Sequence, residues 1–150
     1  MKKRHLVVLL GFLVLVALPA IAGCGESEEA EAALSKKQYQ KQADQICNDA
    51  GHEQFEGVIR YRKKHPGAEE EEMVAPVALP PLEKQLEELK ELPMPNGDEA
   101  QLEAYFTQFA KALGAAREDP PSVLSVQENP FNPAIAIAKK YGLGDCAVAP

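Results

Sequence analysis

An almost unbroken apolar run, Leu6 to Leu18, gives way after Ala22 to a polar and then a periodic chain. Gly25 to Ala33 (GESEEAEAA) has no apolar period and reads as part of a short, flexible acidic tether over 24–34. From Ser35 the pattern turns helical. Ser35-Lys36-Lys37-Gln38 fits a capping box, with Leu34 placed as its hydrophobic staple. Tyr39, Ala43, Ile46, Cys47 and Ala50 keep the three-and-four spacing of one helix face, and Phe55, Val58 and Ile59 extend it. Gly51 inside this stretch costs about 1 kcal/mol relative to Ala. The helix should end before His65-Pro66-Gly67, because the residue ahead of a proline is steered out of the α region.

Glu69 to Glu72 suits the first turn of a second helix, where the macrodipole is positive. Pro76 and Pro80-Pro81 then argue for a short or kinked turn rather than one straight helix. A cleaner helix is expected from Pro80 to Leu92, with Leu82, Leu86 and Leu89 as its apolar stripe. After the turn at Pro93-Met94-Pro95-Asn96-Gly97, Asp98 and Gln101 read as the cap and box positions of a third helix. Its face is Leu102, Tyr105, Phe106, Phe109, Leu113 and Ala116, the clearest helical pattern in the chain, and Pro120-Pro121 stops it. A looser stretch leads to Asn132 as a cap, Pro133 in the first turn and Gly142 as a left-handed end. Ala134 to Ala138 is apolar all round, so this short helix should be largely buried. The pattern thus predicts an all-α domain over 35–150, an antiparallel bundle of three main helices plus a short fourth.

The apolar run at the start follows Lys2, Lys3 and Arg4 and precedes the small residues Ala20, Ala22 and Gly23, which is the layout of a secretory signal over 1–23. Ile21-Ala22-Gly23-Cys24 resembles the lipobox of bacterial lipoprotein precursors. That resemblance implies a diacylglyceryl group and an acyl chain on Cys24, cleavage just before it, and a protein held by lipid on the extracytoplasmic face of the cell membrane. Ala20-Ile21-Ala22 is itself an A-x-A site, so plain secretion is the alternative. An uncleaved anchor is disfavoured, since the run is about 13 residues and a bilayer core needs roughly 20.

The chain has three cysteines, and an odd one in an exported protein calls for an explanation. Lipid on Cys24 supplies it and leaves Cys47 and Cys146 as a pair that should oxidise outside the cytoplasm. No C-x-x-C is present, so the pair reads as structural. Without residues 1–23 the chain keeps 13 of its 16 basic residues and all 23 acidic ones, a net charge near −10. Such a surface repels nucleic acid and anionic headgroups, so membrane attachment would rest on acyl chains. The layout is also similar to small exported or lipid-anchored helical proteins of actinobacteria, through Ile46-Cys47, Leu92-Pro93-Met94-Pro95 with Asp98-Glu99, and the closing Tyr141-Gly142-Leu143-Gly144-Asp145-Cys146. That group implies a fold and no particular activity.

Candidate chemistry is sparse. His52 and His65 lack metal-site spacing, and Glu69–Glu72 lacks the alternating ligands and turn glycine of a calcium loop. Arg60 to His65 is the one basic run, expected at a cationic helix end, with lipid or glycan contact as the sharper alternative. Tyr105, Phe106 and Phe109 read as core before pocket, and Ser122 and Ser125 have no nucleophile setting. The expectation is a non-enzymatic binding or interaction module with an envelope protein as partner, no metal, and no cofactor beyond the covalent diacylglycerol and acyl chain on Cys24. The alternative from a different class is a small envelope enzyme using carboxylates, which would need two of them converging in a pocket.

Overall fold

Ser35 begins the first helix with both halves of the capping box in place: its side chain accepts from the Gln38 N–H, and the Gln38 side chain accepts from the Ser35 N–H. The structure, a computed structural model, describes residues 33–150. The signal segment, Cys24 and the tether as far as Ala32 lie outside the described residues. Helix α1 runs Lys36–Lys64 and stops at His65, as the following proline requires.

The proline-rich middle forms a short turn with a π-helical distortion ahead of the cleaner helix. A single turn, α2 (Glu70–Met73), passes into a π-helical segment, Val74–Ala78, which passes directly into α3 (Leu79–Glu91). The Leu79 N–H reaches back five residues to the Val74 carbonyl. The wider turn accommodates Pro76, which donates no hydrogen bond, while Pro80 and Pro81 sit in the first turn of α3. Leu82, Leu86 and Leu89 of α3 are buried as their spacing requires.

Helix α4 (Glu99–Glu118) buries its predicted face, with Ala112 added. Its cap departs from expectation. Asp98 makes no side-chain cap; its carboxylate instead accepts from the Tyr141 hydroxyl at 2.8 Å and lies 3.7 Å from Lys36 Nζ. A 3₁₀ turn, Pro120–Leu124, follows, and then α5 (Asn132–Tyr141). Its N-cap is Phe131, one residue earlier than expected, and Asn132 turns its amide back to the carbonyls of Val126 and Gln127. Helix α5 is also less buried than its composition suggests. Ala134, Ala138 and Tyr141 face the core, Ile135 and Ile137 are half-buried, and Ala136 is exposed. Gly142 closes it at φ +95°, and the Leu143 N–H returns to the Ala138 carbonyl, which tucks Leu143 into the core.

The contacts fix the topology. Gln54 reaches the Ala78 carbonyl just ahead of α3 and Gln85 meets Cys47 nearer the start of α1, so α3 runs antiparallel to α1. Phe131 stacks edge-on against Phe109 at 5.3 Å, and Tyr141 reaches Asp98 at the start of α4, so α5 runs antiparallel to α4. The result is an all-α antiparallel bundle of three main helices plus the short α5, with no strand among the described residues. Cys47 and Cys146 are joined by a disulfide, with their Cα atoms 5.1 Å apart. It ties the middle of α1 to the 3₁₀ turn Asp145–Ala147. Core side chains come from α1, α3, α4 and α5, from Val74 and Val123 in the π and 3₁₀ turns, and from Phe131, Leu143 and Cys146, and Glu31–Pro150 forms a compact unit by itself.

Candidate functional site

The informative departure lies on the second half of α1. Tyr39, Ala43, Cys47 and Ala50 are buried, and then burial stops. Phe55 is 66% exposed and Ile59 54% exposed, although the spacing placed both on the core face. The reason is helical phase: at 100° per residue Phe55 and Ile59 lie about 140° and 180° round the axis from Ala50. The π segment and the start of α3 pack on another side of this half of α1, where Lys84 reaches Glu53. Gly57 makes that contact close: a Cβ at this position would stand 2.8 Å from Val77 Cγ1. Gln54 adds a tie, donating from Nε2 to the Ala78 carbonyl at 2.9 Å.

Beside the exposed stripe runs an apolar trough of about 370 Å³. Its walls are Phe55 and Val58 from α1, Met73, Val74 and Val77 from α2 and the π segment, and Leu124 from the 3₁₀ turn. Gly51 opens one end, with no atom within 4 Å of where its Cβ would stand. Arg62 and Glu70, 3.7 Å apart and both exposed, close the other. Glu70 is the carboxylate lining the trough, and it faces a cation. Phe55 and Leu124 (46% exposed) make the rim apolar, as at surfaces that dock another molecule.

A smaller recess of about 140 Å³ lies behind the disulfide, lined by Gln85, Phe109, Phe131, Ala134 and the last residues of the chain. Gln85 is buried, and its amide donates to Cys47 Sγ at 3.2 Å. Deeper in the bundle the hydroxyls of Tyr39 and Tyr105 are buried without hydrogen-bond partners. Burial pushes Tyr39 up to about 12 and Tyr105 higher still, the nearby Gln85 amide offsetting the latter only in part. Tyr141 is raised by burial and then by its bond to Asp98, whose negative charge resists a second one beside it.

The residues singled out from sequence fall into place around this picture. His52 is exposed on α1, and His65 packs on the Tyr61 ring at 4.4 Å. Glu69 and Glu72 cap one another at the start of α2. Arg60 pairs with Glu56 and Arg62 with Glu70, so the basic run is the cationic end of α1. Ser122 donates to the Asp119 carbonyl and Ser125 accepts from the Glu128 N–H, both holding turns. Tyr105, Phe106 and Phe109 are core. Among the described residues no cluster of histidine, cysteine, aspartate and glutamate has a metal-binding arrangement, and no helix is long and apolar enough to cross a membrane. No family model matches the chain, and neither a curated protein nor a solved structure shows detectable similarity to it. Sequence reading missed the trough. The available signal was helical phase: Phe55 and Ile59 fall off the face set by Tyr39, Ala43, Cys47 and Ala50.

Proposed function

We propose that the mature chain is an extracytoplasmic lipoprotein, held by lipid on Cys24, whose helical domain is a non-enzymatic interaction module. The observation that carries the anchor is the cysteine count. Cys47 and Cys146 take one another in the fold, which leaves the lipobox cysteine as the odd one. Diacylation of that residue would give near-permanent membrane attachment, because each buried CH₂ contributes about 0.8 kcal/mol. The exposed apolar rim of the trough supports the interaction role, and Glu70 in its lining is paired with Arg62. Metabolic labelling with an alkyne fatty acid, followed by detergent phase partition, tests the anchor. Wild-type protein should carry label and enter the detergent phase, and Cys24→Ala should lose both. Unlabelled wild-type protein beginning at Gly23 would mean that the A-x-A site is used and the protein is simply secreted.

A further inference from the structure

The recess behind the disulfide has a one-sided polar lining. Gln85 is buried, and its Nε2 donates to Cys47 Sγ at 3.2 Å. Gln54, half-buried, commits its Nε2 to the Ala78 carbonyl at 2.9 Å. A disulfide sulfur and a carbonyl only accept, so both amides are fixed in orientation. Each keeps a carbonyl oxygen that takes no hydrogen bond among the described residues. Asp145 adds a carboxylate at the mouth. It lines the recess and is exposed, and its backbone N–H donates to Asp44 Oδ1 at 3.0 Å, which sets a second carboxylate beside it. Among the described residues neither Asp44 nor Asp145 has a cation within ion-pairing distance. The polar side chains of the lining thus offer two carbonyl oxygens, one carboxylate and no positive charge.

We propose that this recess binds a small primary amine whose apolar body is about the size of one ring. Its volume sets the size: about 140 Å³, where a cavity of about 150 Å³ holds benzene. Leu82, Phe109, Phe131 and Ala134, all buried, supply the apolar wall, and the two phenylalanines stand edge to face at 5.3 Å. The disulfide lines it too, and sulfur is polarizable enough to favour an aromatic neighbour. Charge then selects the polar end. An ammonium donates three hydrogen bonds and accepts none, which complements amide oxygens and a carboxylate. An anionic ligand of the same size would meet Asp145 with no side-chain cation to hold it. A cation also follows the field of a chain whose net charge is −7. With the ammonium at the Asp145 mouth it stays partly hydrated, and only the apolar body is fully desolvated. Binding here needs neither the lipid on Cys24 nor a partner on the trough, so its failure would leave both of those readings untouched.

Benzylamine is the probe, titrated into the segment Glu31–Pro150, which holds its core and disulfide within itself, and followed by NMR shifts. It should bind in the millimolar range or tighter, as a ligand of this size allows, with shifts centred on Gln85, Phe131, Ala134 and Cys146. Benzyl alcohol, with the same ring and no charge, should bind about tenfold more weakly, and benzoate should not bind. Ala134→Leu fills the recess from its buried wall and should abolish benzylamine binding. Asp145→Asn, at an exposed position, should weaken benzylamine about two- to fivefold, as for a surface ion pair, and leave benzyl alcohol unchanged. Gln85→Met should weaken both ligands that donate and spare toluene, which has no donor. Recess signals unmoved by tens of millimolar benzylamine overturn the site. Equal binding of benzylamine and benzoate, or binding indifferent to both Asp145→Asn and Gln85→Met, overturns the amine. Should Ala134→Leu unfold the domain, benzoate and the two polar variants decide by themselves.

Discussion

Gly142 shows how much one residue can decide. Its φ of +95° belongs to the left-handed region, and a Cβ there would stand 2.6 Å from Gln40 Nε2, whose amide donates to the Tyr141 carbonyl. Gly142→Ala should therefore destabilise the domain by about 1–3 kcal/mol, read from chemical denaturation, through strain plus a displaced tertiary hydrogen bond. The two orphan tyrosines predict the opposite. Removing an unpaired buried hydroxyl removes a desolvation cost, so Tyr39→Phe or Tyr105→Phe should be neutral or stabilising by up to about 1 kcal/mol. Alkali supplies a further check. Tyr39 titrates near 10.0 when unfolded and near 12 when folded, and Tyr105 and Tyr141 are also raised. Raised values mean that the folded state holds its protons longer, so stability is unaffected by these groups below the unfolded value and falls as pH rises above it. Urea titrations should show this decline steepening between pH 10.0 and about 12, and Tyr39→Phe should flatten it.

At the level of elements, α1 contains two glycines with opposite roles. Gly51 borders open space, so Gly51→Ala should stabilise the helix by about 1 kcal/mol from propensity alone. Gly57 lies where α1 meets the π segment, and Gly57→Ala should destabilise because Val77 must yield. Adding Val77→Ala to Gly57→Ala should recover part of the loss, and melting temperatures of the single and double variants measure it. The helices most legible in the sequence were those whose caps and stripes act locally: Ser35 with Gln38, the three leucines of α3, the aromatic face of α4, and Gly142. What local pattern missed was set by tertiary competition. Asp98 fits a capping box, yet the Tyr141 hydroxyl and Lys36 claim its carboxylate. Phe55 and Ile59 look like a continuation of the apolar period, yet over that length the helix has rotated them away from the face of Cys47 and Ala50, and they are exposed. Pro76 signals a short or kinked turn, and the turn is there, in a π-helical form that local pattern did not specify. Gly51 read as a cost of about 1 kcal/mol, and its place at the mouth of the trough was invisible without the neighbouring helices.

For the whole molecule, the disulfide is the dominant single constraint, joining residues 99 positions apart. Cys47→Ala should cost about 2–5 kcal/mol, with the spread reflecting how far the unfolded chain is restricted. Reduction should lower the melting temperature comparably, and both are read by thermal unfolding of Glu31–Pro150. The loss should leave the secondary structure largely intact below the transition, because the helices are held by a shared apolar core.

The bridge also has a mechanical meaning. A pull between the N-terminal side and the last residues travels through α1 as far as Cys47, crosses the sulfur bond, and leaves at Cys146. The 99 intervening peptide steps, roughly 350 Å of extended contour, are excluded from the line of force. Under load such a domain can lengthen only through its short outer segments. The Phe55–Ile59 stripe and its trough belong to the shielded loop, so tension applied at the two ends of the domain would leave that face in shape.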